Sequence, residues 1–319
     1  LAAGAIAISG NSLLGSERIG AKAGAIGRAA RRTPLGDDGV VRMGIIGTGG
    51  MGGGHIGSFL QFATRGEEKV KIVAICDVNH KRRAVAESRI NKAQGDECAV
   101  YNDYLELLAR EDIHGVLIAS PEHWHAQMAE DALMAGKDVY LEKPMTLRLP
   151  EALRLRQVVL NNPDVLLQVG TQKIMLPKYK AAQAMVAEGA IGKPTFSQTS
   201  YCRNSRDGEW KYYGIDPEWK PGVNVDWDRW CGPAGVRDWN PALCARWRRY
   251  KDFSTGIVGD LLVHEITPLM MALDQGWPTR VVATGGHYID KAMENHDQVN
   301  LQIQFEKGHT LIVAGSTCN

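Results

Sequence analysis

The stretch VRMGIIGTGGMG, residues 41–52, decides the fold. Val41 to Ile46 predicts a short buried strand, and residues 51–62 predict the helix that follows it. Val70 to Cys76 predicts a second buried strand, which ends at Asp77. Between the first strand and the helix stands the glycine loop Gly47-Thr48-Gly49-Gly50-Met51-Gly52. A glycine loop in this position, with an acid after the next strand, is the setting in which a dinucleotide binds.

The loop also predicts which dinucleotide binds. Its glycines allow a tight turn, a close approach of the pyrophosphate to the backbone, and close packing of the helix on the strand. Asp77 should accept hydrogen bonds from the ribose hydroxyls, which favours NAD because a carboxylate would repel a 2′-phosphate. Lys81, Arg82 and Arg83 follow closely, and we interpret them as a solvated helical turn. They leave NADP open as a second cofactor.

Strands and helices continue to alternate after Asp77. We predict helices over 80–94, 102–110 and 122–135, the last ended by Gly136, and strands over 115–119 and 138–141. A helix over 150–160 and a strand over 165–169 should complete the sheet. The strand over 138–141 delivers Glu142-Lys143-Pro144 to the carboxyl edge, where doubly wound sheets bind their ligands. Lys143 is therefore predicted to lie beside the nicotinamide.

The pattern changes after a crossover helix predicted over 177–188. Residues 298–306 alternate strictly between apolar and polar side chains, and Lys307-Gly308 turns the chain into His309 to Val313. This pattern is typical of an antiparallel hairpin with one apolar face. We predict an α/β protein with a Rossmann dinucleotide-binding domain over 41–170. An α/β domain with an open, mostly antiparallel sheet should follow over 171–319, and it looks incomplete because the sequence stops inside strand-like residues.

Composition restricts the class of protein. The 319 residues suffice for two domains, and 37 basic against 36 acidic residues give a net charge of +1, which argues against nucleic acid as a partner. No apolar stretch reaches the ~20 residues that a membrane span needs. The six cysteines form no Cys-x-x-Cys pair, so no metal site is predicted.

The first 40 residues are interpreted as a leader or linker. Leu1 to Ile8 resembles the end of an export signal, which slightly favours an exported or periplasmic location over the cytoplasm. An arbitrary fragment boundary is the alternative.

The second half of the chain offers two groups of candidate substrate residues. Six of the eight tryptophans lie between Trp210 and Trp247, either to stack on sugar rings or to pack an interface. Trp230 and Arg246 are the substrate-binding candidates among these residues. If Asp260 and His264 lie on a helix, their spacing places them on one face, where one residue could orient or protonate the other. A metal site and a buried structural pair are the alternatives.

The histidines in His123-Trp124-His125 also raise the question of a metal site. His123 and His125 are two residues apart, so on a helix their side chains point in different directions. We expect one of them to pack against the cofactor edge, and a capping or core role is the alternative.

The ordered motifs resemble those of the Gfo/Idh/MocA oxidoreductases, the glucose–fructose oxidoreductase and inositol dehydrogenase family. The resemblance covers residues 41–319 and rests on the glycine loop, Ser120-Pro121-Glu122-His123-Trp124-His125, Ala135-Gly136-Lys137-Asp138-Val139, Glu142-Lys143-Pro144 and Asp260-x-x-x-His264. The family's lysine falls on Lys143, its aspartate–histidine pair on Asp260 and His264, and its helix-start histidine on His125. The chain departs from the pattern at Glu122, where many members carry asparagine.

The resemblance implies an NAD(P)-dependent oxidoreductase that acts on CH–OH groups of a sugar, an inositol or a related polyol. It implies Lys143, Asp260 and His264 as catalytic residues, and Ser120, Pro121, His125 and Glu142 among the cofactor contacts. It also implies a homo-oligomer formed through the C-terminal sheet. Some members are glycoside hydrolases that oxidise the sugar ring transiently, which is the alternative function. A non-catalytic sugar or nucleotide sensor is the second alternative.

Overall fold

The first half of the chain forms a parallel sheet. The structure, a computed structural model, describes residues 33–318. The strands are β1 Val41–Ile46, β2 Val70–Cys76, β3 Ala99–Tyr101, β4 Gly115–Ile118, β5 Asp138–Glu142 and β6 Leu167–Gly170. All pairings are parallel, in the order β3-β2-β1-β4-β5-β6. The order reverses between β1 and β4, which is the point where such sheets bind ligands. The predicted Rossmann fold is confirmed.

Helices cover both faces of this sheet. They are α1 Gly50–Thr64, α2 His80–Gln94, α3 Tyr104–Leu108, α4 His125–Met134 and α5 Leu149–Asn161. One buried cluster includes Ile118 and Leu141 of the strands with Ala129 and Leu155 of the helices. The cluster on the other face joins residues of β1 and β2 to residues of α1 and α2. Burial on both faces explains why these strands are continuous apolar runs.

The segment predicted as one helix over 122–135 has two parts. Glu122–Trp124 forms a single 3₁₀ turn, and α4 begins only at His125. Tertiary contacts hold the turn, because the His123 ring and the Trp124 indole both lie within hydrogen-bond distance of the Trp230 carbonyl. The helix predicted over 102–110 is shorter than expected, since α3 starts after Asp103, whose carboxylate caps it.

The second sheet is mixed. After the crossover helix α6 Pro177–Ala187, the elements are β7 Phe196–Cys202, α7 Trp227–Cys231, α8 Pro241–Ala245, α9 Val263–Leu273, β8 Pro278–Gly286, β9 Gln298–Phe305 and β10 Thr310–Ser316. The sheet order is β7-β10-β9-β8, in which β9 is antiparallel to both its neighbours and β10 is parallel to β7. In β9 the apolar side chains alternate with exposed polar ones, as predicted.

The tryptophan segment, residues 203–255, links the two sheets. Trp219, Trp227 and Trp230 are buried together in one apolar cluster, and Trp210 is buried under the second sheet. Packing therefore accounts for these four rings. The segment also bonds to the loop after β2, where the His80 amide donates to the Asn224 carbonyl (2.9 Å) and the Asp226 amide to the Val78 carbonyl (3.0 Å).

The leader prediction at Leu1 to Ile8 lies outside the described residues. Residues 33–40 form irregular structure with one turn before β1. Within residues 33–318, none of the helices has the length and apolar character that crossing a bilayer requires.

Candidate active site

A cavity of about 310 Å³ lies at the carboxyl edge of the parallel sheet, where β1 and β4 separate. It is bounded below by the glycine loop and the ends of β2, β4 and β5, and above by the tryptophan segment. The predicted cofactor residues among its lining are Gly47, Gly49, Gly50, Met51, Asp77, Ser120, Pro121, His125, Glu142 and Lys143. Thr48 lines an adjoining cavity, and Gly52 lines neither.

The glycines of the loop divide into structural and open positions. Gly47 has a φ of +88°, and a Cβ there would lie 2.7 Å from the Ala119 backbone. A Cβ on Gly52 would lie 1.9 Å from the Gly47 carbonyl oxygen, so this glycine lets α1 pack against the loop. A Cβ on Gly50 would meet nothing within 4 Å. The loop thus keeps an open backbone surface of the kind that accepts a pyrophosphate at a helix N-terminus.

Asp77 is fixed next to that surface. Its Oδ2 accepts hydrogen bonds from the Thr48 amide (2.8 Å) and the Thr48 hydroxyl (3.0 Å), and its Oδ1 accepts one from the Asn79 amide (2.8 Å). The carboxylate is therefore aligned along the edge of the cavity, where it can meet ribose hydroxyls.

The cations after Asp77 are largely engaged by protein groups. Lys81 pairs with Asp216 (3.0 Å) and with Glu218 of the tryptophan segment. Arg83 donates to the carbonyls of Asp77 and Tyr101, and Arg82 lies 5.1 Å from the Trp219 ring. Lys81 and Arg83 are therefore bound to protein groups rather than solvated as predicted, while Arg82 lines the cavity.

His125 connects the ends of two strands. Its Nδ1 lies 2.6 Å from the Pro144 carbonyl and its Nε2 lies 2.9 Å from the Ser120 carbonyl. Burial lowers the pKa of the ring, against the opposing effect of the two carbonyls. His125 therefore holds the loop after β4 against the loop that carries Lys143, as well as lining the cavity.

Lys143 shares one carboxylate oxygen with an arginine that the sequence did not single out. The Lys143 ammonium donates to Asp260 Oδ1 (2.9 Å) and to the Asp260 carbonyl (2.9 Å). Arg248 Nε donates to the same Oδ1 at 2.9 Å. Burial opposes ionisation of Asp260, but the charges of Arg248 and Lys143 outweigh it and hold its pKa below the ordinary value. Asp260 is an anion that fixes two cations.

His264 lies near this cluster without bonding to it. The backbone over Val258–Leu262 forms a π-helical turn before α9 begins, and Asp260 and His264 are not hydrogen-bonded to each other. Neither ring nitrogen of His264 has a hydrogen-bond partner within residues 33–318, and Nδ1 is buried. Burial and the charge of Lys143 lower the pKa of His264, so the ring is neutral at neutral pH and can accept a proton. The structure shows no hydrogen bond by which Asp260 would orient His264, but the charge of Asp260 partly offsets the lowering of the ring's pKa.

Of the two substrate-binding candidates in the tryptophan segment, one lines the cavity and the other does not. Trp230 lines the cavity, although it is only 4% exposed and stacks on Trp227. Arg246 does not line the cavity, since its Nε donates to the Tyr213 carbonyl. Arg248, two residues later, stands there in its place. The sequence run Arg246-Trp247-Arg248-Arg249 gave no signal that distinguishes the three arginines.

The departure at Glu122 is also explained by contacts. Its carboxylate accepts from the Thr255 hydroxyl (2.6 Å) and the Thr255 amide (3.0 Å), and the side chain is fully buried. Burial raises the pKa of Glu122 to about 7, against the lowering effect of the Thr255 donors. Glu122 therefore ties the first sheet to the segment that leads into Asp260.

Fold and site together define a dinucleotide-binding α/β protein with a lysine–aspartate pair at the cofactor edge. Residues 41–171 match the model of the Gfo/Idh/MocA oxidoreductase family with NAD-binding Rossmann fold, and residues 233–319 match that of the family's C-terminal domain. The two matches stand in order and together cover most of the chain. The chain belongs to the Gfo/Idh/MocA family, and its Rossmann domain is of the NAD-binding kind.

Inositol dehydrogenases and glycosidases are both among the relatives of this chain. The chain is 31% identical to inositol 2-dehydrogenase 1 of Saccharopolyspora erythraea over 52% of its own length and 47% of that protein. It is 30% identical to an alpha-N-acetylgalactosaminidase of Shewanella oneidensis over 54% of its own length and 39% of that protein. The chain thus spans less than half the length of both relatives.

A solved structure with the same fold is the WlbA dehydrogenase from Bordetella pertussis in complex with NADH and UDP-GlcNAcA. The TM-score is 0.67 over 88% of this chain and 73% of that one, at 18% sequence identity. At this identity the likeness shows the fold alone.

Proposed function

We propose that the chain is an NAD-dependent oxidoreductase that acts on a hydroxyl-bearing carbon of a sugar, an inositol or a related polyol. One observation carries the proposal: at the end of β5, Lys143 lines the dinucleotide cavity and is held by Asp260, with a neutral histidine nearby. A protein that only binds a sugar has no need of such a proton-handling set at this edge. The inositol dehydrogenase relative supports the same class.

The proposed mechanism assigns one task to each side chain. Gly49, Gly50 and Asp77 would hold the dinucleotide, whose nicotinamide takes up or returns a hydride when bound. His264 would accept the proton of the reacting hydroxyl, which requires the neutral ring that burial and Lys143 maintain. Lys143 would donate a hydrogen bond to the substrate oxygen and stabilise the negative charge that develops there. Asp260 would position Lys143.

The exposed face of the second sheet is a candidate surface for association between subunits. Asn300, Gln302 and Gln304 on β9 are exposed there. We propose that subunits associate through this face. A monomeric mass in light scattering of the full-length protein would contradict that part.

A second candidate function is an NAD-dependent glycoside hydrolase. The relative named alpha-N-acetylgalactosaminidase favours it, as does the tryptophan segment that covers the cavity, because an enzyme that returns its hydride to the same sugar need not release the cofactor. The same lysine and histidine would serve a transient oxidation of the ring.

One experiment separates the two candidates. Full-length protein is incubated with NAD and a panel of free sugars, inositols and aryl glycosides, and both NADH absorbance and aglycone release are followed. Net NADH without aglycone supports the oxidoreductase. Aglycone release without NADH accumulation, lost in Lys143→Ala, supports the hydrolase and contradicts our first choice. Absence of both products on every compound revives the sugar or nucleotide sensor.

A further inference from the structure

Arg248 is held in one orientation by three contacts. Its Nε donates to Asp260 Oδ1 at 2.9 Å, and its guanidinium carbon lies 4.2 Å from the Trp247 ring centre and 5.6 Å from that of Tyr213. The side chain is only 17% exposed. An arginine clamped by a carboxylate and two aromatic rings loses little further freedom when it binds a ligand.

The remaining edge of this guanidinium is open to the cavity. Among residues 33–318, no group accepts a hydrogen bond from Nη1 or Nη2 of Arg248, and the residue lines the cavity beside Lys143. Two parallel N–H groups on a planar fork match the two oxygens of a carboxylate or a phosphate. The neighbouring Arg246 and Arg249 are engaged by the Tyr213 carbonyl and by Asp290, respectively.

Lys143 and Arg248 have one ion-pair partner between them among residues 33–318, although Glu142, which pairs with His55, also lines the cavity. Lys143 and Arg248 share the single carboxylate of Asp260. Lys173 is paired with Glu265, and His264 is neutral. In the proposed mechanism, the charge of Lys143 stabilises the negative charge that develops on the reacting oxygen. The charge of Arg248 therefore remains for a part of the substrate that does not react.

We propose that Arg248 binds an anionic group of the substrate, so that the substrate is a sugar or polyol that carries a carboxylate or a phosphate. This inference rests on the proposed function, because it names the substrate class of the same site. Paired charged hydrogen bonds of this kind are expected to favour the anion over its neutral counterpart by about 10- to 100-fold.

The test compares matched ligands on the full-length protein. Hexuronates of gluco, galacto and manno configuration are each paired with the corresponding uronamide, and hexose 6-phosphates are paired with the free hexoses. For each pair, kcat/KM with NAD and binding to the NADH-loaded protein by fluorescence titration are measured. The proposal expects the anion to be preferred in one of the two series, which also tells carboxylate from phosphate.

Variants attribute the preference to one side chain. In Arg248→Gln the ratio between anion and neutral partner should fall towards one, and because both ligands meet the same variant, any general loss of activity cancels. Arg248→Lys should keep part of the preference. The matched control Arg246→Gln should keep all of it. Retained NAD binding shows that each variant is folded.

Two results would overturn the inference. One is equal binding of anion and neutral partner in the unaltered protein, and the other is a preference that survives in Arg248→Gln. Turnover of neutral sugars without any anion preference would leave the proposed oxidoreductase intact while removing this inference. Anion binding without turnover of any ligand would instead remove the proposed function and keep Arg248 as a binding residue.

Discussion

At the scale of single residues, one carboxylate organises the charges of the site. Asp260 lies 117 positions after Lys143 in the sequence, yet its Oδ1 accepts hydrogen bonds from both Lys143 and Arg248. Removing the carboxylate would leave two neighbouring cations with no counter-charge, which is a costly arrangement in a buried place. Burial is the largest cause of the lowered pKa of His264, and the charge of Lys143, which also lowers it, acts more strongly than the opposing charge of Asp260.

We predict that Lys143→Met raises the pKa of His264. The lysine's positive charge disfavours the imidazolium, and its loss also frees the negative charge of Asp260, so both effects act upward. An NMR titration of the His264 ring should show a midpoint below its ordinary value of 6.5 in the unaltered protein and a higher one in the variant. Lys173→Met, which removes a weaker and already paired charge, should shift it less. An unchanged midpoint in Lys143→Met would show that the charge of Lys143 does not lower the pKa of His264.

At the scale of elements, two irregular helical turns meet behind the site. The 3₁₀ turn Glu122–Trp124 lies before α4, and the π turn Val258–Leu262 lies before α9. Glu122 binds Thr255, which lies just before the π turn, and a Cβ on Gly259 within that turn would lie 2.9 Å from the Pro144 ring. Glu122 and the close approach of Gly259 to Pro144 thus connect the segment that carries Asp260 to the end of the parallel sheet that carries Lys143.

We predict a characteristic pH dependence of stability from Glu122. Its pKa is about 7 in the folded chain against an ordinary value of 4.5, so the folded state binds more protons in that window and stability falls as pH rises through it. The loss should be on the order of 3 kcal/mol between these limits. Glu122→Gln should remove it, as measured by denaturant unfolding from pH 4.5 to pH 8.

Thr255→Val provides the companion variant. It removes a donor that favours the charged carboxylate, so the pKa of Glu122 should rise further and the fall in stability should extend to higher pH. Parallel pH curves for the unaltered protein and Glu122→Gln would show that this carboxyl does not titrate as described.

At the scale of the whole molecule, the tryptophan segment closes the dinucleotide cavity. It contributes Arg229, Trp230 and Trp247 to the wall opposite the glycine loop. It is attached to the adenosine end by the Lys81 ion pairs and by an ion pair between Arg229 and Asp103 (2.5 Å). If the segment retains a bound cofactor, breaking these contacts should speed the cofactor's release.

We predict that Lys81→Met accelerates NADH release by up to about 5-fold. The variant breaks the ion pairs to Asp216 and Glu218, and exposed pairs of this kind contribute at most about 1 kcal/mol. Release is measured by stopped-flow fluorescence with excess NAD. The matched control is Lys71→Met, because Lys71 is equally exposed but pairs with Asp96 outside the cavity. Equal release from both variants would show that the segment does not retain the cofactor.

The sequence by itself determined the parts of the protein that follow local rules. The alternation of β9, the glycine loop after β1 and the position of Lys143 at the end of β5 each depend on residues only a few positions apart. Backbone geometry and side-chain periodicity act at that range, so the Rossmann fold and the cofactor edge could be predicted.

Only the tertiary structure decided which distant side chains meet. It placed Arg248 rather than Arg246 at the site and paired Asp260 with Lys143 rather than with His264. It also buried four tryptophans for which the sequence left stacking on sugars and packing equally open. It also gave Glu122 its partner, 133 positions away. These outcomes depend on how two sheets and the tryptophan segment pack together, because charge pairing and burial are set by neighbours in space.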